Sequence, residues 1–334
     1  MRLGGFKIII FLIALFLLGC SSSNKPLVGF MLPHMTIQRY KTEKEEFAKK
    51  INELGGEVLF EEANNDAQKQ IGQLDSLLNE GIDILVLDPV NRFTAAQMVR
   101  KAHAKGVKVI SYDRLISNSD VDAFVSFDPW MTGRQMTEAV TRLKPEGNYI
   151  ILEGDKTDLN AIGIDEGQQK VLEPFIKSGK IKVKYKVFID KWASDDAYFE
   201  VKRYIDLSGD IPDVILASSD GLARGTIDLL KEYNLEGKIL VTGQGGEIFA
   251  CKNMMKGYQV MTVYKPVKKL ADLAAELAFK MLHNEKTDDI LTSTVNNGFM
   301  PVPTHLLVTI PVTAENIRSI IVADGMIKES DLSE

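Results

Sequence analysis

From residue 27 onward, short apolar runs alternate with longer segments whose apolar residues recur at helical spacing, the pattern of strand-helix-strand units around a parallel sheet. The first run, 27–31, is followed by Tyr40, Phe47, Ile51 and Leu54 on one helical face, with Gly55 and Gly56 as its stop. A strand over 57–62 comes next, then a helix carrying Ile71, Leu74, Leu77 and Leu78. After Gly81 the run 82–87 is largely apolar, as a strand buried on both faces requires. Helix 94–105 and strand 107–112 repeat the unit, and a strand follows at 123–127. The same pattern restarts with strands over 148–152, 183–188, 214–217, 238–241 and 259–264, separated by helical stretches that include 197–207 and 222–233. Because a single core stops growing near about 250 to 300 residues, two such runs fit an α/β fold of two doubly wound parallel-sheet lobes better than one sheet. The boundary is placed near 129–134. The helix over 267–283 has a broad apolar stripe through Leu270, Ala274, Leu277 and Met281. If it returns to the first lobe, a hinge joins the lobes.

The first residues read differently. Arg2 and Lys7 precede an apolar stretch over 8–18, which ends in Leu17, Leu18, Gly19 and Cys20, followed by three serines. This is the pattern of a signal peptide ending in a lipobox, and the stretch is short for a permanent transmembrane anchor, which is the alternative. The expected organisation is a leader over 1–19, lipid on Cys20, and a tether over 20–26. Since two lipid signals are generally needed for stable anchoring, a diacylglyceryl and an acyl chain on Cys20 suffice. Cys251 is then left without an intrachain disulfide partner. A net charge of −6 provides no basic field for phosphate backbones, so nucleic acid is not an expected partner.

In open parallel sheets, ligands collect at the carboxyl ends of strands. Strand 107–112 runs into Asp113 and Arg114, an acceptor-only carboxylate beside a forked donor that together suit neighbouring sugar hydroxyls; the alternative is an internal ion pair. Strand 148–152 leads to a polar loop with Asp158 and Asn160. After strand 183–188, Trp192 lies next to Asp195 and Asp196, and it can either stack on the C–H face of a pyranose or cover a neighbouring helix. The two acids are read as cap and dipole partners of a helix start, with acid-base work on a glycoside as the alternative. Strand 259–264 ends in Lys265 and Pro266. The glycines at 243, 245 and 246 do not complete a dinucleotide fingerprint, because Ile248 stands where its last glycine belongs. Phosphate-loop, nucleophile-elbow and zinc-protease motifs are absent, and His34, His103, His283 and His305 lack metal-ligand spacing, so neither a cofactor, a metal nor an enzymatic activity is expected.

The stretches Ser-Tyr-Asp-Arg at 111–114, Ser-Phe-Asp at 126–128, Gly-Lys-Ile-Lys-Val at 179–183, Met-Thr-Val-Tyr-Lys-Pro at 261–266 and Val-Asn-Asn-Gly at 295–298 occur in one order. In these the chain resembles the D-xylose-binding members of the pentose and hexose periplasmic binding proteins, over essentially the whole mature length. The resemblance implies the type I binding-protein fold, with lobes over 27–132 plus 267–290 and over 133–266 plus 291–334. It also implies closure on a monosaccharide. By position, Arg39, Asp113, Arg114, Asp158, Asn160 and Lys265 match hydrogen-bonding residues and Trp192 matches a stacking aromatic. Three positions depart: Tyr40 stands where the family has a second stacking tryptophan, Asp196 where it has asparagine, and Gly245 where it has a sugar-binding aspartate. The implied partner is an ABC permease; a membrane histidine kinase read by a sensory subunit, or a glycoside-processing enzyme, are the rival readings.

Overall fold

The computed structural model describes residues 25–333; the leader, Cys20 and the tether through residue 24 lie outside the described residues. The first lobe contains β1 (Leu27–Leu32), α1 (Gln38–Glu53), β2 (Glu57–Glu62), α2 (Ala67–Glu80), β3 (Ile84–Leu87), α3 (Ala95–His103), β4 (Lys108–Tyr112) and β5 (Ala123–Phe127). The second continues with α4 (Pro129–Leu143), β6 (Gly147–Glu153), α5 (Leu159–Lys177), β7 (Ile181–Phe188), α6 (Ser194–Ser208), β8 (Val214–Ala217), α7 (Asp220–Glu232), β9 (Leu240–Val241), β10 (Gln244–Gly245), α8 (Ile248–Met255) and β11 (Thr262–Tyr264). After these come α9 (Val267–Leu282), β12 (Ser293–Asn296), β13 (Pro301–Leu307), β14 (Ile310–Val312) and α10 (Glu329–Leu332).

The first sheet has the order β12-β13-β5-β4-β3-β1-β2 and is parallel except for β12. Its central strands bury both faces with a period of two: Phe30, Ile84, Val86 and Ile110 pack under α1 and α9, while Met31, Leu85, Leu87 and Val109 pack under α2 and α3. In the second lobe the parallel order is β7-β6-β8-β9, with Ile150 and Leu152 on the α6 and α7 side and Tyr149 and Ile151 on the α4 and α5 side. On the edge strand β7, Lys182, Lys184 and Lys186 alternate outward, which discourages pairing with another chain. Helices α4 and α5 meet backbone to backbone, since a Cβ on Gly133 would stand 2.0 Å from the carbonyl oxygen of Ile164.

The chain passes between lobes at Asp128 and Pro129, at Lys265 and Pro266, and at Val308 and Thr309. Side chains knit the first and third crossings together: Gln135 Nε2 donates to the Thr309 carbonyl at 3.0 Å, and Thr309 Oγ1 to Gln135 Oε1 at 2.8 Å. Helix α9 packs on α1 and the first sheet. One boundary differs from expectation. Residues 291–334 do not fall in the second lobe as a block, because β12 and β13 extend the first sheet, with Thr304 to Leu307 paired to Phe124 to Phe127. The physical reason is the return of α9, which brings the chain back beside the free edge of β5; Pro301 and Pro303 fall in the half of β13 that β5 does not use. Only β14 and the following tail leave that lobe. β14 pairs with β11, and Ile317, Ile321, Met326 and Leu332 pack with Cys251 and Met254 of α8. Among the described residues no helix is long and apolar enough to cross a membrane.

Candidate ligand-binding site

Strand order reverses direction between β1 and β3 in the first sheet, and between β6 and β8 in the second, so the carboxyl ends of these strands face one crevice. Asp88 leaves β3 there, Asp113 and Arg114 leave β4, and the first turn of α1 adds Arg39 and Tyr40. From the second lobe come Asp158, the N-cap of α5, with Asn160 and Trp192, and from the second crossing comes Lys265. Asp113 is turned by a left-handed backbone, φ 56°. Its carbonyl accepts from Ser126 Oγ at 2.7 Å and from Asn160 Nδ2 at 3.0 Å, the latter a bond between lobes. A second bridge is the ion pair of Arg114 Nε with Asp158 Oδ2 at 3.2 Å. That same carboxylate oxygen accepts from Trp192 Nε1 at 3.3 Å, and the indole lies flat enough on Gly154 that a Cβ there would come within 2.2 Å of the ring.

Charge is dense and nearly dry in this crevice. Burial alone would push the Asp113 carboxyl up, but Arg39 at 3.3 Å, Lys265 at 4.0 Å and Arg114 hold it down to about 2, so it is an acceptor at any working pH. Lys265 is lowered by burial in spite of Asp113. Asp88 is wholly buried, and burial raises it well above the carboxylate range although Arg114 Nε stands 3.9 Å away. Neither oxygen of Asp88, nor Asp113 Oδ1, nor Arg114 Nε has a hydrogen-bond partner among the described residues. Orphaned donors and acceptors that converge from both lobes are the groups that vicinal hydroxyls satisfy. His34, edge-on to Tyr40 at 4.8 Å, is pushed down to about 4 by burial, Arg114 and Arg39, so its ring is neutral.

Of the residues singled out from sequence, Arg39, Asp113, Arg114, Asp158, Asn160, Trp192 and Lys265 form one connected cluster. Tyr40 is at its edge, 2% exposed, beneath the Arg39 guanidinium. Asp196 is elsewhere: it is exposed on the first turn of α6, and no hydrogen bond or ion pair joins it to the cluster. Gly245 takes φ 139°, which side chains rarely adopt. Beside it, Asp220 accepts from Gly246 N, Glu247 N, Gln259 Nε2 and Thr262 Oγ1 at 2.7 to 3.0 Å, and so is fully occupied with shaping this turn. Asp88 was overlooked in the sequence, although it directly follows the apolar run 82–87; the rule applied to Asp113 would have found it. Glu43, wholly buried against Arg39, carried no such signal.

Two α/β lobes with a charged, largely buried crevice across their strand ends define a receptor for a small polar solute. The chain belongs to the periplasmic binding protein family, whose domain model, described as a periplasmic binding protein domain, matches residues 28–286. It is 37% identical over 313 residues to the D-xylose-binding periplasmic protein of Haemophilus influenzae, covering 93% of this chain and 94% of that one. To the D-xylose-binding periplasmic protein of Escherichia coli it is 34% identical, over 91% of this chain and 92% of that one. Among solved structures, an ABC transporter solute binding protein of Clostridium phytofermentans with bound β-D-glucose superposes with a TM-score of 0.85 at 28% identity, over 92% of this chain and 100% of that one.

Proposed function

We propose that the protein is an extracytoplasmic receptor that closes its lobes on a D-xylose-like pyranose and presents it to an ABC permease, held at the membrane by lipid on Cys20. The observation that carries this reading is the cross-lobe pair of contacts, Arg114 with Asp158 and Asn160 with Asp113, which gathers hydroxyl-binding groups of both lobes into one cluster. Relatives that bear the D-xylose-binding name over nine tenths of their length support it. In this reading Asp113 and Asp158 accept from sugar hydroxyls, Asp88, whose neutral form burial favours, can accept through one oxygen and donate through the other, Arg39, Arg114, Asn160 and Lys265 donate, and Trp192 covers one sugar face. Ligand stabilises closure only through contacts that exist in the closed form, and the crevice supplies such contacts from both sides. Titration calorimetry with D-xylose, D-ribose, L-arabinose and D-glucose tests the reading: saturable heat with D-xylose supports it, and no heat with any of the four refutes it. Co-purification from membranes of a permease and its ATPase supports delivery, whereas recovery of a histidine kinase alone replaces it with sensing. Release of the protein from membranes by Cys20→Ser checks the anchor.

A further inference from the structure

We infer that Glu43 is a positioning residue for the crevice: it fixes the guanidinium of Arg39 so that one edge of the fork is presented to the bound sugar. The inference rests on the proposed role of the crevice. Arg39 and Glu43 stand one helical turn apart on α1, where side chains four residues apart meet. Arg39 Nη2 donates to Glu43 Oε1 at 2.7 Å and Nε to Oε2 at 3.4 Å, a fork-to-fork contact, while Nη2 also stands 3.3 Å from Asp113 Oδ1. These contacts occupy the Nε and Nη2 side of the fork. The Nη1 edge donates to nothing among the described residues, and it is the edge left for a ligand. Without the Glu43 carboxylate, Asp113 becomes the remaining ion-pair partner of Arg39, and the guanidinium turns onto it, taking up an acceptor that a sugar hydroxyl would otherwise meet.

Glu43 has no exposed surface, and the charged and titratable groups facing it are Arg39 on its own helix, Tyr112 and Asp113 at the end of β4, Asp88 beyond β3, and Lys265 at the second crossing. Burial pushes its carboxyl up to about 7 against the pull of Arg39. The carboxylate that aims Arg39 is therefore only partly ionised near neutrality. A sugar that needs the aimed guanidinium binds best to the ionised form, so binding expels a proton, and affinity falls as pH drops through this range.

Calorimetry with D-xylose near neutral pH, in two buffers of different ionisation heat, reads that proton directly. For the native protein the expected result is a buffer-dependent heat, with affinity falling about three- to tenfold between about pH 8 and about pH 6. Glu43→Gln should bind about tenfold more weakly with a flat pH profile, as expected for loss of a charge-assisted contact. Glu43→Asp keeps the charge on a shorter arm; it should weaken binding yet retain the pH slope, and it carries the test if Glu43→Gln fails to fold by circular dichroism. A pH slope that persists in Glu43→Gln assigns the proton to another group, such as Asp88 or Glu247, and overturns the inference. An affinity of Glu43→Gln within about twofold of the native value also overturns it and leaves the sugar reading intact, while the absence of heat from every sugar removes both.

Discussion

Replacing Asp158 by asparagine removes the charge of one cross-lobe bridge and keeps the helix cap. Asparagine is as good an N-cap as aspartate, so the bond from Asn160 N to the side chain at 2.9 Å, which starts α5, is retained on its one oxygen, while the amide nitrogen in place of Oδ2 no longer accepts from Trp192 Nε1. The larger loss is the ion pair with Arg114 at 3.2 Å, between side chains only 20% and 9% exposed, to which the long Trp192 bond to the same oxygen is a smaller addition. With an effective dielectric of about 20, the gross attraction at that distance is about 5 kcal/mol. Desolvation of both groups offsets most of it, and a net loss of about 1.5 to 3 kcal/mol remains for an ion pair this close and this little exposed. The bridge exists only with the lobes together, so the loss appears in ligand affinity: Asp158→Asn should weaken D-xylose binding about ten- to a hundredfold. It should leave the melting temperature of the sugar-free protein nearly unchanged. Calorimetry gives the affinity, and differential scanning gives the melting temperature. An affinity within about twofold of the native value would show that the bridge does not contribute to closure.

Three further outcomes follow from particular contacts. Gly154→Ala drives a methyl into the Trp192 ring and should cost at least about tenfold in sugar affinity, measured by calorimetry, because the indole must leave its seat; an unchanged affinity refutes the placement of that ring. Gly245→Asp should lower the melting temperature and not tighten binding, since its φ of 139° strains any side chain by about 1 to 3 kcal/mol and its Cβ would stand 3.2 Å from Asp220 Oδ2; tighter binding would contradict this. His103 lies 2.8 Å from Asp122 and 3.2 Å from Asp120; burial opposes its charge, but the two acids prevail and raise its pKa. A raised folded-state value means that its stabilisation is full below the unfolded pKa of about 6.5 and disappears as pH rises through the folded one. The melting-temperature deficit of His103→Gln should therefore be largest at about pH 5.5 and shrink by about pH 9, and a deficit that does not change with pH would show that the pairing is not the cause.

Buried parallel strands were legible because a strand covered on both faces is an apolar run in sequence, as 84–87 and 149–152 are, and the helices between them were bounded by glycines such as Gly81. The extension of the first sheet by β13 was not legible. Its sequence, with Pro301, Pro303 and His305, lacks an apolar run or a clean alternation, and its partner β5 lies far back in the chain. At the site, the strand-end rule located Asp113 and Arg114 and would have located Asp88. It could not separate Asp158 from Asp196, since both are acids at helix starts after strands of the same sheet, and only the three-dimensional path places Asp158 against Arg114 and leaves Asp196 exposed. Glu43 was invisible for a related reason: a glutamate four residues after an arginine is ordinarily a solvated helix pair, and its burial depends on β4 and Asp113 lying over it.

The central claim is that one pyranose is held between the lobes by the Asp88, Asp113, Arg114 and Lys265 cluster. A crystal structure of the protein grown with D-xylose tests it most directly. The account predicts a single sugar in the crevice with hydroxyls in hydrogen-bond reach of Asp88 and Asp113 and one ring face toward Trp192. A sugar bound instead on the outer surface, for example in the groove lined by Trp130 and Ile176 between α4 and α5, with the crevice closed against it, would contradict the account.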